Sequence, residues 1–139
     1  KIAAFEALFD LDLSAKSASL AEIGTTFGEA VKHAFGNGNS TVKTYDRTEP
    51  IGNSMIICSL TLQSSPLFKF EKEMSGDFKE NYDEFFKAFT VAADAKLHII
   101  IPDTDRKEMF MAVFKSFGRC LGVASSKNPA AKYANNILK

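Results

Sequence analysis

The chain has 139 residues, of which 45% are hydrophobic and 24% are charged, and this balance excludes an intrinsically disordered protein. Lys and Arg together number 17, as do Asp and Glu, so the chain lacks the basic excess typical of nucleic-acid-binding proteins. No apolar run approaches the roughly 20 residues of a membrane-spanning helix. These features predict one globular domain with a core rich in Phe, which occurs 13 times.

Charge is unevenly distributed along the chain. From Lys96 to Lys139 there are eight basic and three acidic residues, which predicts a basic flank, with a docking surface for an acidic partner as the alternative. The two cysteines, Cys58 and Cys120, lie in apolar runs. We expect them to be small buried core residues, and a disulfide between them stays open.

The spacing of apolar residues predicts the first elements of the chain. Alternation at residues 9–15 indicates a half-buried strand. A helix follows, because Ser19 and Glu22 form a capping-box pair and apolar residues recur every three or four positions as far as Phe35. The Gly- and Asn-rich stretch at 36–40 is expected to end this helix.

Three extended segments are predicted in the middle of the chain. Residues 41–47 form a polar strand or an extended loop, residues 54–63 and 67–71 form strands, and a turn lies at 50–53. The short segment Ser64-Ser65-Pro66 is interpreted as a hairpin turn that joins the second and third of these segments.

The last part of the chain predicts a helix with a Phe stripe, a buried strand at 96–101 and a final helix capped by Asp103 or Asp105. The core stripe of the final helix is assigned to Phe110, Val113, Phe114, Phe117 and Leu121. Since helices and strands recur in similar order, we predict two similar halves, residues 1–48 and 49–124, and a C-terminal tail at 125–139. The predicted fold class is α+β, with helices on one face of a mostly antiparallel sheet.

Short motifs in this order resemble the imidazoleglycerol-phosphate dehydratase family. In the first half they are Glu22-Ile-Gly24 and Phe27-Gly-Glu-Ala30; in the second they are Ser75-Gly-Asp-Phe78, Lys96-Leu-His-Ile99 and Ala112-Val-Phe-Lys115. The similarity extends over about residues 1–124. It implies the two-half fold that is also seen in ribosomal protein S5 domain 2.

The resemblance also implies a chemistry, which is manganese-assisted loss of water from imidazoleglycerol phosphate. In the family, two His-His-x-x-Glu motifs hold the metal pair, and the metal sites lie between subunits of large shells. This chain keeps only His98 among the recognisable ligand positions. The degenerate positions are Ser17, Ala18 and Ala21 at the first motif, Lys107, Glu108 and Met111 at the second, and Gly52 and Asn53 where the family has Asp-Glu.

These losses predict a catalytically inactive protein without metal or other cofactor, which serves as a structural subunit of a larger complex with other protein chains. The alternatives are an active or partner-completed imidazoleglycerol-phosphate dehydratase of histidine biosynthesis, and a small-molecule-binding regulator. The expected contacts are the basic last helix, the tail and an open sheet edge, since the family pattern places further residues before Lys1. The start at Lys rather than Met suggests a removed targeting sequence and an organellar location.

Other candidate sites are better explained by local structure. The Gly36-Asn-Gly-Asn39 stretch lacks the Lys-Ser/Thr of a phosphate loop, and Asp103 and Asp105 lack the further ligands of a calcium loop. The serines and His33 do not predict a hydrolase triad. Nucleic-acid binding by the last helix is not expected, since its Phe residues are assigned to the core, unless the complex that contains this chain also contains RNA.

Overall fold

The structure, a computed structural model, describes residues 19–36, 42–72, 82–102 and 106–127. The elements in chain order are α1 (Leu20–Phe35), β1 (Thr44–Ile51), β2 (Ser54–Leu62), β3 (Leu67–Lys72), α2 (Tyr82–Ala93), β4 (Ala95–Ile101) and α3 (Arg106–Ala124). The strand predicted at 9–15, the caps predicted at Asp103 or Asp105 and most of the predicted tail lie outside the described residues. No helix in the described ranges is long and apolar enough to cross a membrane.

The four strands form one sheet in the order β1-β2-β4-β3. β1 pairs with β2 and β2 with β4 in antiparallel fashion, whereas β3 pairs with β4 in parallel. The predicted hairpin between β2 and β3 is therefore wrong, because β4 lies between them. β3 carries the charged residues Lys69 and Glu71, as is common for a strand at the edge of a sheet. In β4, Leu97 and Ile99 are completely buried, as expected for a strand with a neighbouring strand on each side.

The hydrophobic core lies between the sheet and the helices. α2 packs on β3 and β4, α3 packs on β1 and β2, and α1 packs on α2. Five aromatic rings make the centre of this core, with neighbouring centroids 5.0–6.5 Å apart: Phe27, Phe85, Phe86, Phe89 and Phe117. The predicted α+β class, with helices on one face of a mostly antiparallel sheet, is confirmed.

The capping box predicted for α1 is present. The Ser19 hydroxyl accepts a hydrogen bond from the Glu22 backbone at 3.2 Å, and the Glu22 carboxylate accepts one from the Ser19 backbone at 3.3 Å. Gly24 and Gly28 then lie directly against the α2 backbone. A Cβ at Gly24 would overlap the carbonyl oxygen of Phe85, and one at Gly28 would lie 2.7 Å from that of Phe89. α1 and α2 therefore run in the same direction at very short distance.

The core stripe of α3 differs from the prediction by one position at its start. Met109 is completely buried, whereas Phe110 is 47% exposed, so the assignment of Phe110 to the core is wrong. Residues 109, 113, 117 and 120 recur at helical spacing and fill the interface with the sheet. Phe110, one residue further along the helix, points about 100° away and packs on Phe114.

The two cysteines are buried core residues, as predicted, and both are unbridged. The Cys120 thiol donates a hydrogen bond of 3.4 Å to the Cys58 carbonyl oxygen, which joins α3 to β2. Hydrogen bonding with Cys120 and burial both raise the pKa of the Cys58 thiol, so it behaves as a neutral core group.

Candidate functional site

The side of the sheet opposite the helices is here called the open face. It consists of the even-numbered residues of β1 and β4 and the odd-numbered residues of β2 and β3, because neighbours in register point to the same side. Within the described residues all three helices lie on the other side. His98, which the sequence resemblance predicts to be a retained ligand position, projects from the middle of the open face.

His98 has a hydrogen-bond partner on the neighbouring strand. Its Nε2 lies 3.2 Å from Oε1 of Glu71, which also forms an ion pair with Lys69. The hydrogen bond from Lys69 lowers the pKa of the Glu71 carboxyl; partial burial opposes this, and His98 adds to the lowering. Glu71 is therefore an ionised acceptor that orients the imidazole, and about a third of the His98 side chain is exposed.

The other site positions are distributed over two sides of the molecule. Gly52 and Asn53 form the exposed turn between β1 and β2, where Gly52 has a φ of +55°. This turn lies at the same end of the sheet as the end of β4, since Ile57 is opposite Ile100. Lys107, Glu108 and Met111 lie in the first turns of α3, which begins at that end, and Glu108 and Met111 are exposed.

Ala21 is not near His98. It lies in the first turn of α1, in a shallow groove with Thr25, Glu84 and Ala88 on the helical side of the molecule. The sheet thus separates the position of the first motif from the retained histidine. Ser17 and Ala18, the other positions of that motif, lie outside the described residues.

The described residues do not fit a manganese pair. No group of three or more His, Cys, Asp or Glu within residues 19–36, 42–72, 82–102 and 106–127 could hold a metal ion. Ala21 offers no ligand atom, and the thioether of Met111 is too soft for manganese. The sequence contains only two histidines, and His33, the other one, lies on the exposed surface of α1.

A buried carboxylate on β1 was missed by the sequence reasoning. Glu49 is only 7% exposed, and its side chain accepts hydrogen bonds from Arg119 and Ser116 of α3 and from Arg47 of its own strand. Burial raises the pKa of Glu49, but the two guanidinium groups outweigh it and hold the pKa below its usual value. The sequence contained one signal for this burial. Glu49 lies two residues before Ile51 on the same strand, so both side chains point to the inward side of β1.

A cavity of about 460 Å³ lies at the opposite end of the sheet from the Gly52–Asn53 turn. Val31, Phe35 and Leu62 line it, together with an ion pair of 2.5 Å between Lys32 and Asp94. None of the predicted ligand positions is among its lining residues.

Solved structures define the class of protein to which this fold belongs. The chain superposes on imidazoleglycerol-phosphate dehydratase from Staphylococcus aureus with a TM-score of 0.68, at 21% identity over 78% of this chain and 67% of that one. The dehydratase from Pyrococcus furiosus gives a TM-score of 0.66, at 20% identity over 79% of this chain and 64% of that one. The predicted α+β fold is thus that of these dehydratases.

The sequence comparisons are more specific. The family model for imidazoleglycerol-phosphate dehydratase matches residues 3–121, and the chain belongs to this family, as its motifs predicted. The dehydratase of Desulfitobacterium hafniense is 32% identical over 80% of this chain, and that of Acetivibrio thermocellus is 28% identical over 87%. The chain spans 60% and 69% of the length of these two curated relatives.

Proposed function

We propose that this chain is a member of the dehydratase family that does not catalyse dehydration with its own residues and acts instead as a subunit in contact with other protein chains. The observation that carries this proposal is the nature of the side chains at the family's ligand positions. Ala21 and Met111 replace glutamates there, and Gly52–Asn53 is an exposed turn without a carboxylate.

The chemistry of the ion supports this proposal. Manganese prefers several nitrogen and oxygen ligands, and a pair of ions needs more of them than one site supplies. Here His98 remains, and Glu71 and Lys69 form a local ion-pair group with it. A single imidazole beside an ammonium group is a poor environment for a divalent cation.

Family membership favours a second candidate, an active or partner-completed dehydratase of histidine biosynthesis. The relatives that match at 32% and 28% identity are themselves named imidazoleglycerol-phosphate dehydratases. The separation of Ala21 from His98 by the sheet also fits a site that needs more than one chain. In this candidate, the imidazole and carboxylate ligands that are lacking would come from another polypeptide.

One set of measurements separates the two candidates. The purified chain is dialysed against manganese, its bound metal is quantified by mass spectrometry, and turnover of imidazoleglycerol phosphate is assayed beside the Desulfitobacterium hafniense enzyme. We expect neither stoichiometric manganese nor turnover. The His98→Ala variant, with His33→Ala as its matched control, shows whether any bound metal uses the retained position.

Stoichiometric manganese together with turnover by the chain alone would contradict the proposal. The same assay is repeated on a complex with a family dehydratase that has been inactivated at its own metal site. Turnover that appears only in this complex would establish the partner-completed candidate, and its absence would support the non-catalytic one.

A further inference from the structure

Basic side chains lie together where α3 runs along β1, an edge strand of the described sheet. The backbone N–H of Lys43 donates a hydrogen bond of 2.8 Å to the Ala124 carbonyl oxygen, which holds the start of β1 against the end of α3. Arg47 and Arg119 connect the two elements further along, through Glu49. The basic surface, as it is called here, consists of Lys43, Arg47, Lys115, Arg119 and Lys127.

Acidic side chains compensate only part of the charge of the basic surface. Of the two acidic residues of β1, Glu49 is buried between the arginines and Asp46 projects to the open face. The acidic residue of α3, Glu108, lies about two turns before Lys115. Within the described residues, the cations of the basic surface therefore outnumber the acidic groups beside them, and the surface carries a net positive charge.

Glu49 holds two guanidinium groups of the basic surface in place. Arg47 donates to the Oε1 atom of Glu49 through Nε at 2.5 Å, and Arg119 donates to the same atom through Nη1. About a third of the Arg47 side chain and two fifths of the Arg119 side chain remain exposed. A guanidinium group has five N–H donors, so both arginines have donors left for an acceptor from outside. Since Glu49 already orders these side chains, an anion that binds them costs less rotamer entropy.

We propose that the basic surface binds an acidic segment of another protein, with carboxylates placed against the guanidinium groups of Arg47 and Arg119. Paired N–H donors of arginine match the two oxygens of a carboxylate, and such charge-assisted pairs are strong and specific. The inference deepens the proposed function, on which it rests, because it names the kind of chain that this subunit contacts. It also gives a location to the docking surface for an acidic partner, which the charge distribution of the sequence left as an alternative.

The extent of the basic surface favours a segment with several carboxylates over a single small anion. Lys43 and Arg47 are separated by up to about 13 Å along the chain at β1. From Lys115 to the end of α3 at Ala124 the distance is about 14 Å. One small anion cannot contact cations spread over such distances, whereas an acidic segment that lies along β1 and α3 can contact several of them.

Nucleic acid fits the basic surface less well. Single-stranded nucleic acids stack their bases on exposed aromatic side chains that lie among the cations. Tyr45, the aromatic residue of β1, packs against the core, and the exposed Phe110 of α3 lies more than one turn before Lys115. The chain as a whole has equal numbers of basic and acidic residues, so it lacks the overall positive charge that attracts a phosphate backbone.

Fluorescence anisotropy of a labelled peptide with glutamate at alternate positions tests the proposal on the whole chain. The same peptide with glutamine in place of glutamate is the comparison. We expect the glutamate peptide to bind about tenfold more tightly or better, and to bind less tightly as the salt concentration rises. Arg47→Lys and Arg119→Lys keep the charge and lose the planar fork of donors, so each should raise the Kd of the glutamate peptide by about fivefold.

Two further variants separate the basic surface from the overall charge of the chain. Lys115→Gln removes one charge from the basic surface and should raise the Kd by about threefold. Lys87→Gln removes the same charge at an exposed position of α2 and should leave the Kd unchanged. Neither lysine side chain forms a hydrogen bond or an ion pair within the described residues, so both variants remain informative if an arginine variant does not fold. Circular dichroism verifies the fold of each variant.

Several results would overturn the proposal: no binding of the glutamate peptide, equal affinity for the glutamine peptide, equal effects of Lys115→Gln and Lys87→Gln, or tighter binding of an oligouridylate than of the glutamate peptide. Failure of this inference differs from failure of the proposed function. A chain that binds the glutamate peptide and also turns over imidazoleglycerol phosphate would refute the non-catalytic function and leave the basic surface in place. A chain that does neither would refute the basic surface and leave the non-catalytic function.

Discussion

Two parts of α1 differ in what their neighbours require of them. Gly24 and Gly28 face α2 at a distance that excludes any side chain, and both lie in the motifs that resemble the family. Ala21, less than one turn before Gly24, lies instead in an open groove, at a position that the resemblance assigns to a metal ligand. Under the function proposed above, α1 keeps the residues that its packing demands and lacks those that would serve the reaction.

The largest effect is expected where the helices are closest. In Gly24→Ala the new methyl group overlaps the Phe85 carbonyl oxygen, and backbone atoms cannot move aside as a side chain would. We expect the free energy of unfolding to fall by about 3 kcal/mol despite the better helix propensity of Ala. Urea-induced unfolding measures this difference.

Thr26→Ala is the matched control, since Thr26 is exposed on the same helix. This substitution changes the helix propensity at a position that does not face α2, so the free energy of unfolding should rise slightly or stay the same. A Gly24→Ala protein as stable as this control would show that α1 and α2 are further apart than the structure places them.

The next effect is expected at Glu49, where a buried carboxylate connects β1 to α3. Glu49→Ala leaves Ser116 and two arginines without their acceptor. Because about two fifths of the Arg119 side chain is exposed, water compensates part of the loss, and we expect a cost of about 2 kcal/mol in the free energy of unfolding. Asp46→Ala is the control, because Asp46 is exposed on the same strand, and it should lower the free energy of unfolding by much less.

The same residue predicts a dependence of stability on pH. The folded-state pKa of Glu49 is held below its unfolded value, so its contribution is fully present above the unfolded pKa and is lost as the pH falls through the folded pKa. We expect the unmodified protein to lose more stability than Glu49→Gln between about pH 7 and about pH 3. Equal losses in the two proteins, measured by urea unfolding, would contradict the assignment.

The sequence predicted those parts of the fold that depend on local spacing. The capping box at Ser19, the strand β2 and the burial of Cys58 and Cys120 follow from local spacing and residue type. The order of the strands did not follow. The segment 64–66 suits a hairpin turn locally. Only the pairing of β4 with β2 along one edge and with β3 along the other, a tertiary feature, separates β3 from β2.

The proposed loss of ligands at Ala21 and Met111 comes from the sequence alone, because an alanine or a thioether cannot replace a carboxylate, and it stays a prediction. The surroundings of the candidate site could not be predicted in this way. The partner of His98 was not visible, since Glu71 is 27 residues away and reaches it only through the parallel pairing of β3 with β4. Glu49 was missed for the same reason, as its partners Ser116 and Arg119 lie on a distant helix.

The smallest effect is expected at Met111, a position that the family resemblance assigns to a metal ligand. Met111 is 67% exposed, whereas Met109, on the same turn of α3, is completely buried. Met111→Gln should change the free energy of unfolding by no more than about 0.5 kcal/mol, and Met109→Gln should lower it by about 2 kcal/mol, because an amide would be buried among apolar groups. The free energies of unfolding of the two variants, measured with urea, compare a buried and an exposed position of the same helix. If Met111→Gln proved as costly as Met109→Gln, the predicted ligand position would be part of a packed surface, and the exposure of Met111 in the structure would be contradicted.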